Sequence, residues 1–304
     1  MRWQRTLTKP VEIRGTGLHS GRDVALVLHP APENHGIVFH RSDLGSVYIP
    51  AHVRYVSKER STLSTVLFDG QATVQTIEHL MSALNGLYID NLVAEINGAE
   101  LPILDGSSRP LVVAVSEGGI VEQKKEQKFY RVVRFEEFVS GDKYLSAEPS
   151  DRFEVDYEID FGPGLLQRYR FTLSESSYES EIARAKTFCF ESDIHKMRAM
   201  GLARGGSLSN ALVMGKNALL NPDQQTYADE FVRHKILDFL GDVRLLDRPV
   251  VGRFVVRRGG HAFHTECLRS LWEKGSLALS TPKAASSDRE RSAVSGEKLL
   301  PLGQ

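Results

Sequence analysis

Asp229-Glu-Phe-Val-Arg-His-Lys-Ile-Leu-Asp-Phe-Leu-Gly-Asp242 is the stretch on which the reading of this chain turns. Val232, Ile236, Phe239, Leu240 and Val243 recur at helical spacing and form a stripe wide enough to face a core. His234, Asp238 and Asp242 follow at intervals of four residues and climb the opposite side of the same helix. An imidazole and a carboxylate one turn apart can share a metal ion, and zinc suits that pair. The spacing alone also describes a surface His–Asp pair. It supplies two protein ligands, where a catalytic zinc site commonly has three.

Two other segments carry candidate chemistry. A helix predicted from about Val74 to Leu84 sets Val74, Ile77, Leu80, Met81 and Leu84 on one apolar face, with Glu78 and His79 off it. Such a polar stripe can line a cleft or be an ordinary solvated face. In Arg257-Arg-Gly-Gly-His261-Ala, after a predicted strand, the glycines allow close approach and the arginines can meet an anion. His261 is placed for proton transfer, though turn histidines are often merely solvated. The glycine-rich pieces Gly15–Gly21 and Gly201–Gly206 read as mobile loops, and neither has the spacing of a phosphate-binding loop. Cys189 and Cys267, the two cysteines, exclude a disulfide scaffold and a Cys-rich zinc module, and read as buried structural thiols.

Around these segments the chain falls into three parts. Residues 1–122 open with short strands near Val11–Arg14, Val24–Leu28, Gly36–Phe39 and Val47–Ile49, then alternate helix, strand and helix up to Ser116. The run Glu122–Lys128 is charged, free of core candidates, and reads as a linker or solvated edge. Residues 129–275 repeat the order of strands followed by helices, with Phe153, Val155, Tyr157 and Ile159 in strict alternation. This repetition predicts two similarly built α+β domains. Residues 276–304 lack a core pattern and are expected to form a mobile tail. Its apolar end, Leu299–Leu302, can be a docking or degradation signal, or a frayed terminus.

The 304 residues include 41% hydrophobic and 25% charged, ordinary for a globular protein. Lys plus Arg at 38 against Asp plus Glu at 39 gives a net charge of −1, with no global pull toward nucleic acid. No window approaches the ~18–20 apolar residues of a membrane span, and nothing near Met1 reads as an export signal. A cytoplasmic protein is expected.

Taken together, six stretches resemble one family, the zinc-dependent UDP-3-O-acyl-N-acetylglucosamine deacetylases of lipid A biosynthesis (the LpxC family). They are Gly15–Gly21, Thr76-Ile-Glu-His-Leu-Met-Ser-Ala-Leu84, Leu101-Pro-Ile-Leu-Asp-Gly-Ser107, Arg184-Ala-Lys-Thr-Phe188, Glu230-Phe-Val-Arg-His-Lys-Ile-Leu-Asp238 and Gly260-His261-Ala262, all in family order. The resemblance spans roughly residues 3 to 275. It implies two α+β domains whose helix layers face each other across the active site. His79 then meets His234 and Asp238 at one zinc ion, and Fe2+ suits the same ligands.

By the same resemblance, Glu78 is the general base toward the attacking water. Thr187 stabilises the oxyanion, and His261 is the general acid or an electrostatic stabiliser. Asp242 orients His261 and keeps it charged, while Lys235 meets substrate oxygens or the diphosphate. Lys143, Phe161 and Arg258 match the positions that hold the uridine diphosphate. An insert at about 192–216 forms an apolar passage for the 3-O-acyl chain, with Leu18, Leu63, Phe188, Leu202, Ala211 and Val213 as lining candidates or core. Cys189 stands where the family commonly has glycine. The expected partners are an acylated UDP-sugar and a protease reading the tail, with no nucleic acid, and a monomer is expected. The competing readings are a related metal hydrolase of another nucleotide sugar and a non-catalytic sugar-nucleotide binder.

Overall fold

The computed structural model describes residues 2–281 apart from 46 and 163. It is an α+β structure with two larger sheets, three two-stranded pairs and six α-helices among the described residues. The helices are α1 (Glu78–Gly86), α2 (Arg109–Glu117), α3 (Glu175–Ser177), α4 (Glu191–Ala199), α5 (Glu230–Arg244) and α6 (His261–Glu273).

The first sheet has five strands in the spatial order Val11–Thr16, Asp23–Pro30, Leu92–Ile96, Ile37–Arg41 and Val47–Pro50. Alternation sends Val24, Leu26, Leu28, Ile37, Phe39, Leu92, Ala94 and Ile96 inward, where they join α1 and α2 in one core. The second sheet is built on Val250–Arg257, which pairs with Lys143–Glu148, Phe153–Asp160 and, at its start, Phe129–Val132. Phe153, Val155, Tyr157 and Ile159 are all buried against α5 side chains such as Phe239.

The layers meet where α1 packs on α5. Every residue of α1 is buried, and the Asn85 side chain donates to the Leu240 carbonyl at 3.0 Å. The approach depends on Gly241, because a Cβ there would lie 2.9 Å from the carbonyl carbon of Glu78. This contact brings the first turn of α1 alongside the middle of α5.

Two expectations are corrected, one is decided between its alternatives, and one strand is added. The helix begins at Glu78 and not near Val74, because Thr73–Gln75 forms a strand against Val66–Phe68 and Thr76, at φ 58°, turns the chain into the helix. Val74 and Ile77 are buried in either arrangement, which is why periodicity alone merged the two elements. The charged run is a solvated edge and not a linker: most of it lies in the largely exposed strand Ile120–Glu126, antiparallel to Trp3–Leu7, with Gln123 accepting from the Asn91 side chain at 2.7 Å. The tail is ordered at its start, since Leu277–Ser280 pairs with Phe129–Val132. Glu136–Ser140, not anticipated, is an edge strand on Lys143–Glu148 whose partly solvated surface left no apolar signal. Leu299–Leu302 lies outside the described residues.

Candidate active site

Glu78 and His79 open α1, His234, Asp238 and Asp242 come from successive turns of α5, and His261 is the first residue of α6. The six are buried together. One donor atom each from His79, His234 and Asp238 lies within 4.8 Å of the other two, close enough to share an ion.

The donor set fits a divalent metal on observations independent of the motif. His234 Nδ1 lies 3.0 Å from the Ala185 carbonyl, so its proton sits there and Nε2 keeps a free lone pair. Asp238 Oδ1 is buried with no hydrogen-bond partner, although it lies 3.3 Å from His234 Nε2 and 3.9 Å from His79 Nε2. An orphaned buried carboxylate oxygen is costly, and a cation among the three atoms removes that cost. Burial, reinforced by His234, pushes His79 down to about 3, which keeps its imidazole neutral as a ligand must be. The other Asp238 oxygen accepts from Lys235 Nζ at 2.8 Å. Burial works against the Lys235 charge, but Asp238 outweighs it and raises the ammonium above its usual range.

Glu78 and His261 flank this cluster, and both are raised, for different reasons. Burial, helped by the charge of Asp238, pushes Glu78 up to about 7, in the range of a general base. For His261, burial favours the neutral ring, but Asp242, Asp238 and Glu78 overcome it and hold the imidazole up at about 9. His261 Nε2 is 4.0 Å from Glu78 Oε1 and 3.7 Å from Asp238 Oδ2, while Nδ1 faces Asp242 Oδ2 at 3.2 Å.

A cavity of about 680 Å³ opens onto Glu78, His79, His234, Lys235, Asp238 and His261, and the candidates Lys143, Phe161, Thr187 and Arg258 also line it. It adjoins a second cavity of about 310 Å³ lined by Leu18, Leu63, Phe188, Ala211 and Val213. Cys189 lines both, at their junction. Leu202, half-buried just after α4, is not among the residues lining either cavity, although its neighbour Ala203 lines the smaller one. Arg258 donates to Asp142 at 2.7 Å and also pairs with Asp160. Arg257, read as able to meet an anion, is instead spent on Asp156, whose main-chain carbonyl it meets at 3.0 Å.

Several residues of the site escaped sequence reasoning. His19 is buried in the wall of the smaller cavity with both ring nitrogens unpartnered. Its main-chain N–H donates to the buried Glu100 at 2.7 Å, which also receives the Thr76 hydroxyl at 3.2 Å. Thr65 and His264 both contact Asp242. His19 and Thr76 stood in quoted segments without a role, and no spacing rule connects Thr65, Glu100 or His264 to α5.

Fold and cluster together define a class, an α+β protein with a candidate His–His–Asp metal centre and an acid–base pair in one cleft. A family model described as UDP-3-O-acyl N-acetylglycosamine deacetylase matches residues 4–273. The UDP-3-O-acyl-N-acetylglucosamine deacetylase of Anaeromyxobacter dehalogenans is 45% identical over 270 residues, covering 88% of this chain and 87% of its own. The protein of that name from Myxococcus xanthus is 44% identical, covering 88% and 86%, and that from Neisseria gonorrhoeae is 42% identical, covering 88% and 89%. The chain belongs to the LpxC family.

Proposed function

We propose that this protein hydrolyses the N-acetyl group of UDP-3-O-(3-hydroxyacyl)-N-acetylglucosamine, releasing acetate and a free amine in the committed step of lipid A biosynthesis. The observation that carries the reading is a raised-pKa carboxylate and a charged imidazole facing the His79, His234 and Asp238 cluster in one cavity. Zinc held by these three residues would act as a Lewis acid and lower the pKa of water, and Fe2+ suits the same donors. Glu78 takes a proton from the attacking water, whose oxygen adds to the acetamido carbonyl carbon. The Thr187 hydroxyl and the charges of His261 and Lys235 stabilise the developing oxyanion. His261 then delivers a proton to the nitrogen as the C–N bond breaks, held in position by Asp242.

The apolar cavity beside Thr187 and Phe188 suits the 3-O-acyl chain, and Lys143, Phe161 and Arg258 suit the uridine diphosphate on the open side. Residues 1–122 would form one domain, bearing Glu78 and His79, and 129–275 the other, with the acyl insert at about 192–216. Among the described residues no helix is long and apolar enough to cross a membrane. A cytoplasmic monomer, with a protease reading the tail, completes the reading.

The test is acetate release from the acylated UDP-sugar before chelation, after it, and after one equivalent of zinc is returned. Activity lost and regained supports both reaction and metal. Folded, zinc-loaded protein that releases no acetate points to another nucleotide sugar or to a binding role.

A further inference from the structure

Thr65 links the base and the acid of the cleft. It is fully buried, and it precedes the hairpin strand Val66–Phe68, whose register Val66↔Gln75 sets Thr65 beside the turn into α1. Its main-chain N–H donates to Glu78 Oε2 at 2.9 Å. Its hydroxyl donates to Asp242 Oδ1 at 2.6 Å and lies 3.0 Å from His261 Nδ1. The direct contacts from His261 Nδ1 to the two Asp242 oxygens are longer, 3.2 and 3.5 Å.

A hydroxyl has one proton to give and lone pairs to accept with. With its proton on Asp242, the Thr65 oxygen accepts the Nδ1–H of His261 and stands between imidazole and carboxylate. Nε2 is thereby turned toward Glu78 and Asp238. Asp242 cannot replace this contact freely, because its Oδ2 is also engaged by His264 Nδ1 at 2.9 Å. His264 is itself held by the Tyr157 hydroxyl at 2.9 Å from Nε2. Swinging the carboxylate toward His261 alone would break that buried chain.

We infer that Thr65 is a positioning residue for both proton-transfer groups, fixing Glu78 through its main chain and His261 through its hydroxyl. The inference rests on the deacetylase reading for its kinetic consequence, though not for its geometry. Thr65→Val is near-isosteric, keeps the main-chain N–H and deletes the hydroxyl, with Thr65→Ala as a second hydroxyl-free variant. Thr65→Ser restores the hydroxyl.

In the zinc-loaded protein, Thr65→Val is expected to lower kcat about 10–100-fold, the usual cost of losing a supporting hydrogen bond at a metal site. KM and metal content stay at wild-type values, and Thr65→Ser recovers most of kcat. A hydroxyl-free variant with wild-type kcat overturns the inference, as does a Thr65→Ser variant as slow as Thr65→Val. The ring nitrogen resonances of His261, assigned by their loss in His261→Ala, give a readout independent of turnover. They are expected to shift in Thr65→Val, and unchanged resonances overturn the bridge. Wild-type protein that releases no acetate defeats the deacetylase reading alone, and the resonances still decide the role of Thr65.

Discussion

Gly241 of α5 lies against the main chain of Glu78 at the start of α1, so close that no side chain fits between them. This contact lets His79 reach Asp238 and His234, which lie three and seven residues before Gly241 along α5. Gly241→Ala is expected to push the helices apart, at a cost of about 1–3 kcal/mol for overpacking a tight interior. Metal affinity should fall with stability, because the ligands belong to different helices. Thermal unfolding and metal content measured on the same sample check this, and wild-type values in both would show that the contact positions nothing.

Glu78 and the three ligand candidates separate by what their loss removes. Glu78→Gln keeps the shape and hydrogen-bonding capacity of the side chain but cannot accept a proton from water. Turnover should drop about 10²–10⁴-fold, the usual share of general base catalysis, with metal content unchanged. A variant that loses metal while each remaining metal site turns over normally would assign Glu78 to binding instead.

Asp238→Ala deletes a ligand and leaves the Lys235 ammonium, now 2.8 Å from the carboxylate, without its partner. Metal affinity should therefore fall by more than the roughly 10–100-fold cost of losing a supporting residue. Isothermal titration of the apo variant with zinc reads this directly. Full occupancy at wild-type affinity removes Asp238 from the ligand set.

The pH dependence follows from the two raised values, Glu78 at about 7 and His261 at about 9. In the proposed mechanism Glu78 acts as a carboxylate, and with its pKa pushed up to about 7 that form is lost as pH falls through that value. A bound cation favours the carboxylate, so the acid limb of the rate profile lies at or below about 7. In the same mechanism His261 acts protonated, and being held up at about 9 it loses its proton only as pH rises through that value. The profile of kcat/KM is thus expected to be bell-shaped, and His261→Ala should abolish the basic limb. A basic limb that survives unchanged in that variant belongs to another group.

The parts of this site that sequence made legible share a local origin. His234, Asp238 and Asp242 are related by the period of one helix, so their common face could be read from spacing. His79 could not be joined to them by spacing, because the contact at Gly241 connects helices more than 150 residues apart in sequence; resemblance to a family supplied that link. Thr65 and His264 stayed hidden for the same reason, since their partner Asp242 lies on another element. The strand Thr73–Gln75 was lost because Val74 and Ile77, three residues apart, fit the helical period, although each is buried from a different element. The ribbon Ile120–Glu126 stayed undecided between linker and solvated edge because its partners, Asn91 and the Trp3–Leu7 strand, are remote in sequence and of its own side chains Ile120 packs on the core.

The start of the tail belongs to the fold, which changes where a truncation should fall. Leu277–Ser280 pairs with Phe129–Val132, and the Ser276 hydroxyl donates to Glu136 at 2.7 Å and accepts from Arg134 at 3.1 Å. A chain ending after Thr281 keeps all of these contacts, and its kcat and KM should match those of the full chain. A chain ending after Gly275 loses an edge strand and two buried-side hydrogen bonds, each worth about 1 kcal/mol, and should melt several degrees lower. Equal melting temperatures for the two truncations would remove Leu277–Ser280 from the stable fold. Loss of turnover on deleting residues 282–304 alone would bring the tail into the catalytic site.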